Sequence, residues 1–202
     1  MKRDARLNPP NLLTLFRIVI VPVVVLLLYV PGGEISFPRS LAAFVLYVVA
    51  TLTDLLDGYL ARRYQMITPL GKLLDPLADK LLVCAALIML VPPGRVAAWM
   101  VVIVVAREIG VTALRGVAST EGVIIAASAL GKWKTLLLNI GVAALILHYP
   151  FFGVEAVFGP RFVHWFGIAF LAGGIVLTAW SGLDYFLRFL GEVFHREGPV
   201  RP

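Results

Sequence analysis

The chain has one cysteine, three histidines and little charge: Asp, Glu, Lys and Arg together make up 15% of its 202 residues. A single cysteine excludes an intrachain disulfide, and Cys84 stands inside an apolar run where packing is the expected role, so redox chemistry has no support. His148, His164 and His195 are expected at the surface or the membrane interface, not as catalysts. Internal repeats, low-complexity tracts and sustained period-2 alternation are missing, which removes solenoids, disordered tails and β architectures. The shortage of charge is itself informative. With 60% hydrophobic residues and a mean hydropathy of +0.91, the chain falls outside the balance of a soluble globular domain, and the membrane class comes first.

A spanning helix needs about 20 mostly apolar residues. Six runs meet that need: 12–30, 39–59, 73–91, 96–116, 132–149 and 162–190. The expected fold is therefore an all-α integral membrane protein of six transmembrane helices. It divides into a basic membrane-surface segment at 1–11, a six-helix catalytic domain at 12–190 and a cytoplasmic tail at 191–202. The first run exceeds a signal-peptide core and lacks a small-residue cleavage site, so it is expected to remain. Pro31-Gly32-Gly33, Pro92-Pro93-Gly94 and the stretch 150–160 read as external reversals, and Trp99, Trp165 and Tyr149 as interfacial anchors.

The formal net charge is +6, and its placement speaks against nucleic acid as a partner. Alternating the loops from a cytoplasmic N-terminus puts 15 of the 18 basic residues on or near one side, leaving Arg39, Arg95 and Arg161 on the other. The positive-inside rule then sets both termini in the cytoplasm. The basic face would attract anionic lipid and anionic substrates.

Charges inside spanning helices cost several kcal/mol unless they face a polar cavity, pair, or bind an ion. Here they cluster. The second run ends Thr53-Asp54-Leu55-Leu56-Asp57-Gly58-Tyr59-Leu60-Ala61-Arg62, and the third begins Gly71-Lys72-Leu73-Leu74-Asp75-Pro76-Leu77-Ala78-Asp79-Lys80. Each pair of aspartates lies about one helical turn apart on one face. If the two helices run antiparallel, all four carboxylates meet near the cytoplasmic surface, where mutual repulsion calls for hard divalent cations, two rather than one. The alternative is simple pairing with Arg62, Lys72 or Lys80. Gly58 and Ala61 share the face of Asp54 and would let a bulky ligand approach, or would merely allow close helix packing. Arg62 is suited to bidentate phosphate contact.

The pattern Asp54-x2-Asp57-Gly58-x2-Ala61-Arg62-x8-Gly71-x3-Asp75-x3-Asp79 resembles the signature of the CDP-alcohol phosphatidyltransferase family at all eight fixed positions. The resemblance implies a six-helix fold with two divalent metal ions, Mg2+ or Mn2+, that moves a phosphatidyl group from CDP-diacylglycerol to an alcohol and releases CMP. Carried over position by position, Asp54, Asp57, Asp75 and Asp79 would bind metal, and Asp79 would also be the general base. Gly58, Ala61, Arg62 and Gly71 would meet the nucleotide. A homodimer in the bacterial cytoplasmic membrane is implied by the same resemblance. No Ser, Cys or His stands in the motif, so direct displacement without a covalent intermediate is the simpler mechanism.

Acceptor identity depends on residues elsewhere. Arg107 and Arg115, eight apart on the fourth run, lie nearly on one face, and Lys132 and Lys134 open the fifth. Together they could hold a second phosphate, although pairing of Arg107 with a nearby carboxylate and interfacial anchoring of the lysines are the alternatives. These segments, with Asn8-x2-Asn11-x2-Thr14-x2-Arg17, resemble the members of the family that use glycerol 3-phosphate. Leu138 departs from the glutamine usual there. Thr14 and Arg17 share a side of the first run and would approach the nucleotide or pyrophosphate, unless Arg17 only snorkels. Inositol phosphate, serine or phosphatidylglycerol remain open as acceptors. A cation transporter is the rival of another class, since intramembrane carboxylates also mark ion pathways.

Overall fold

A computed structural model describes residues 9–31, 33–64, 80–120, 129–149 and 161–196, with the side chains of 9–14, 54–64, 115, 117–120, 129–130, 188–190 and 192–196 outside that description. The described residues are helical and contain no strand. We number the helices α1 Pro9–Leu28, α2 Phe37–Tyr64, α3 Lys80–Met89, α4 Ala98–Thr120, α5 Ala129–Leu147 and α6 Phe162–Arg196.

Local sequence accounts for the helix ends. Pro9 and Pro10 occupy the first turn of α1, where the missing N–H costs nothing, whereas Pro22 sits inside the helix and removes one bond of its ladder. α5 stops at Leu147 because His148 takes φ of 57°, a left-handed conformation that ends a helix, and its N–H returns to the Ala144 carbonyl. Gly94, at φ 70°, serves the turn between α3 and α4.

Buried residues recur at helical spacing: Ile20, Val24 and Leu28 on α1, Ala43, Tyr47 and Ala50 on α2, Leu82 and Ala86 on α3 with Leu90 just beyond its end, and Leu138, Val142 and Leu145 on α5. These stripes meet in one core. α1 packs on α2, α2 on α5, and α6 on both α4 and α5. The α5–α6 contact is backbone-close. A Cβ placed on Gly141 would stand 2.7 Å from the Leu171 amide nitrogen, and one on Gly174 would stand 2.7 Å from Leu138.

The end of the bundle where α5 finishes is tied by Arg95, which sequence placed in an external loop. It is 2% exposed. Its Nη1 donates to Ile146 O at 2.7 Å, Ser40 Oγ at 3.0 Å and Leu145 O at 3.3 Å, and its Nη2 to Ile35 O at 3.2 Å. Two of these acceptors are terminal carbonyls of α5 that lack helical partners, and a cation there also complements the helix dipole. The guanidinium lies 5.5 Å from the centre of the Tyr149 ring, whose hydroxyl donates to Ile35 O. Beside it His148 and His164 meet edge to face at 5.2 Å, each with a buried Nδ1, so both belong partly to the packing and not to a wet surface.

Outward faces remain apolar. Leu26, Val102, Ile109 and Val176 are each more than 60% exposed, as are Trp99, Trp133, Trp165 and Trp180. Only Phe162–Leu187 is both long and apolar enough among the described helices to cross a membrane by itself, with a mean hydropathy of 1.8.

Candidate active site

The acidic motif begins on α2. Asp54, Asp57, Gly58, Ala61 and Arg62 fall on its last turns, following Thr51 and Thr53, whose hydroxyls donate back to the Tyr47 and Ala50 carbonyls at 2.9 and 2.8 Å. The side chains of the five motif residues lie outside the described residues, as do Gly71, Asp75 and Asp79 altogether. The convergence of the four carboxylates is therefore an expectation from spacing. The residue after Asp79 is described: Lys80 opens α3, donates to Thr112 Oγ1 on α4, and comes within 3.9 Å of Glu108.

Glu108 is where several helices meet. Its Oε1 accepts from Lys134 Nζ on α5 and from Arg107 Nη1 at 3.1 Å, while its backbone carbonyl accepts from Thr112 Oγ1 at 2.6 Å. Arg107 Nη2 donates to Ser181 Oγ on α6 at 2.9 Å, and Ser181 in turn donates to Thr178 O at 3.2 Å. The neighbouring Gly182 leaves room for the arginine stem, since a Cβ there would stand 3.3 Å from Arg107 Cγ. Lys134 is 5% exposed, too deep for a lysine serving only as an interfacial anchor.

Glu108 and Lys134 line a cleft with Lys80, Val83, Val104, Thr135, Leu138 and Asn139, and Arg107 reaches Glu108 from outside that lining. Asn139 Oδ1 accepts from the Tyr47 hydroxyl at 2.8 Å, which joins α2 to α5 about two turns before Asp54. Burial of ion pairs is costly unless every donor and acceptor is met, and here one carboxylate, Glu108, faces three cations.

Of the residues singled out for an acceptor phosphate, the structure thus brings Arg107 and Lys134 together. Lys132 is exposed and does not line the cleft. Arg115 follows Arg107 by two turns on α4, with its side chain outside the described residues. Arg17 is 1% exposed, inside the bundle instead of snorkelling, and the Thr14 side chain is outside the description. Lys80, Glu108, Asn139 and Ser181 were not singled out for the acceptor site. Their signal was present as polar residues in apolar runs, which seldom occur without a partner or a ligand.

A model of the CDP-alcohol phosphatidyltransferase family matches residues 7–180, and the chain belongs to that family. It is 42% identical, over 188 residues, to the CDP-diacylglycerol–glycerol-3-phosphate 3-phosphatidyltransferase of Bacillus subtilis (strain 168), covering 89% of this chain and 93% of the relative. It is 38% identical over 186 residues to a probable phosphatidylglycerophosphate synthase of Mycobacterium tuberculosis (strain H37Rv), covering 92% and 83%. With a CDP-diacylglycerol–glycerol-3-phosphate 3-phosphatidyltransferase of Pseudomonas fluorescens it shares 36% over 186 residues, covering 89% and 88%.

Proposed function

We propose that this enzyme transfers the phosphatidyl group of CDP-diacylglycerol to glycerol 3-phosphate, forming phosphatidylglycerophosphate and CMP. The observation that carries the choice of acceptor is the cation cluster of buried Lys134 with half-buried Arg107 and Lys80, which starts one residue after the last aspartate of the motif. A phosphate held there would keep the acceptor's hydroxyl close to the catalytic carboxylates, converting an encounter into a positioned reaction.

The four aspartates offer only hard oxygen donors, a set that suits Mg2+ or Mn2+, and Asp54, Asp57, Asp75 and Asp79 would hold two such ions. Bound there, the ions would supply charge neutralisation on the pyrophosphate and on the departing CMP. The protein's own groups do the rest. Asp79 takes the proton of the acceptor hydroxyl as its oxygen bonds to the phosphatidyl phosphorus and the pyrophosphate bond to CMP breaks. Gly58, Ala61, Gly71 and Arg62 receive the nucleotide, with Arg17 and Thr14 behind the pyrophosphate. Arg115 and Lys132 extend the basic surface along which the acceptor approaches.

The six helices span the cytoplasmic membrane of a bacterial cell, with both termini and the active site on the cytoplasmic side. Support comes from the apolar outer faces, from α6, whose apolar stretch is only 28% buried within the bundle, and from the basic residues gathered at one end. A homodimer is proposed on the family resemblance alone. The test of the reaction is to supply purified protein in micelles with CDP-diacylglycerol, a divalent metal and glycerol 3-phosphate. Equimolar CMP and phosphatidylglycerophosphate are expected, and hydrolysis of the nucleotide lipid without transfer would overturn the assignment.

A further inference from the structure

The cation cluster is closed by a carboxylate that the reaction does not call for. Glu108 has a side chain 12% exposed and lies within 4 Å of Lys134, Arg107 and Lys80, so three positive charges surround one negative charge. A phosphate monoester needs those same donors. The cleft beside Lys80, Glu108 and Lys134 is small, about 30 Å³, and the carboxylate stands at the centre of the three cations. The carboxylate fills the place that the phosphate would take.

We propose that Glu108 is a tethered stand-in for the acceptor's phosphate, and that competition with it restricts the site to phosphate monoesters. This rests on the reading of the cluster as the acceptor site. With the cleft empty, the carboxylate keeps three mutually repelling cations convergent. A dianion with three acceptor oxygens takes over the donors and displaces the single negative charge on its side-chain arm. A neutral or zwitterionic alcohol brings no net charge with which to displace it. Specificity is thereby gained by weakening every acceptor and sparing only the one that competes best.

The test compares full-length wild-type protein with Glu108→Gln in micelles, using inorganic phosphate as the probe in a calorimetric titration. The amide keeps the shape and removes the competing charge. The variant is expected to bind phosphate about three- to tenfold more tightly, the size of a partly screened ion-pair effect. KM for glycerol 3-phosphate should fall by a similar factor while KM for CDP-diacylglycerol holds. Unchanged or weaker phosphate binding overturns the proposal, and a raised KM with lowered kcat would show Glu108 to be scaffolding only. Tighter phosphate binding in an enzyme that does not use glycerol 3-phosphate would instead overturn the choice of acceptor alone. Should the glutamine variant fail to accumulate, Glu108→Asp, with the charge on a shorter arm, is expected to shift binding in the same direction by less, and a shift the other way overturns the proposal equally.

Discussion

At the scale of single residues, chemistry and positioning separate into different side chains. Under the proposed mechanism Asp79→Asn keeps an oxygen ligand and loses the base, so turnover, followed as CMP release, should disappear while CDP-diacylglycerol binding partly survives. Full activity in that variant would remove Asp79 from its role. Ser181→Ala acts at one remove, through Arg107. Loss of one hydrogen bond to a charged partner is worth about 1.5 kcal/mol, so KM for glycerol 3-phosphate should rise roughly tenfold with KM for CDP-diacylglycerol unchanged. The two kinds of residue also differ in how readable they were. The aspartates announce themselves because four carboxylates at helical spacing stand out in a chain with so little charge, even with pairing to Arg62, Lys72 or Lys80 as the simpler alternative. Glu108 did not, since its main partner Lys134 lies 26 positions away and the two helices that carry them both pack on α6.

At the scale of helices, the sequence located the elements well and their ties poorly. Five of the six apolar runs correspond to described helices, with ends shifted by a few residues where Pro9 and Pro10 begin α1 early and where α6 continues as far as Arg196, and the third run is described only as Lys80–Met89, its first residues lying outside the described ones. Arg95 is the instructive miss. Its partners are mostly backbone carbonyls of α5 and of the α1–α2 link, and carbonyl acceptors leave no trace in a string of side chains. Arg95→Met should destabilise the bundle by about 3 kcal/mol or more, because it leaves several buried carbonyls unpaired, and thermal unfolding in detergent would report the loss. The α5–α6 seam gives a second case. Gly141→Ala puts a methyl 2.7 Å from a backbone nitrogen that cannot move alone, and 3.0 Å from the Gly167 carbonyl oxygen. Separation of the helices at a cost of about 1–3 kcal/mol is expected, again read as a lowered unfolding temperature. Neither substitution touches the motif, so the activity of molecules that remain folded should stay close to wild type.

For the molecule as a whole, two polar clusters lie in different parts of the bundle. Arg95, Tyr149, His148 and His164 lock the end where α5 finishes, while Lys80, Arg107 and Lys134 gather around Glu108, the cluster proposed to receive the acceptor. Removal of divalent metal by a chelator should abolish CMP release, with recovery on adding back Mg2+ or Mn2+ and no recovery with monovalent salt. The central claim, transfer to glycerol 3-phosphate, is tested most directly by competition. Purified protein receives CDP-diacylglycerol with equal amounts of glycerol 3-phosphate, inositol phosphate, serine and phosphatidylglycerol, and the lipid products are resolved by mass spectrometry. Phosphatidylglycerophosphate should dominate. A product mixture led by phosphatidylinositol phosphate, phosphatidylserine or cardiolipin would contradict the assignment.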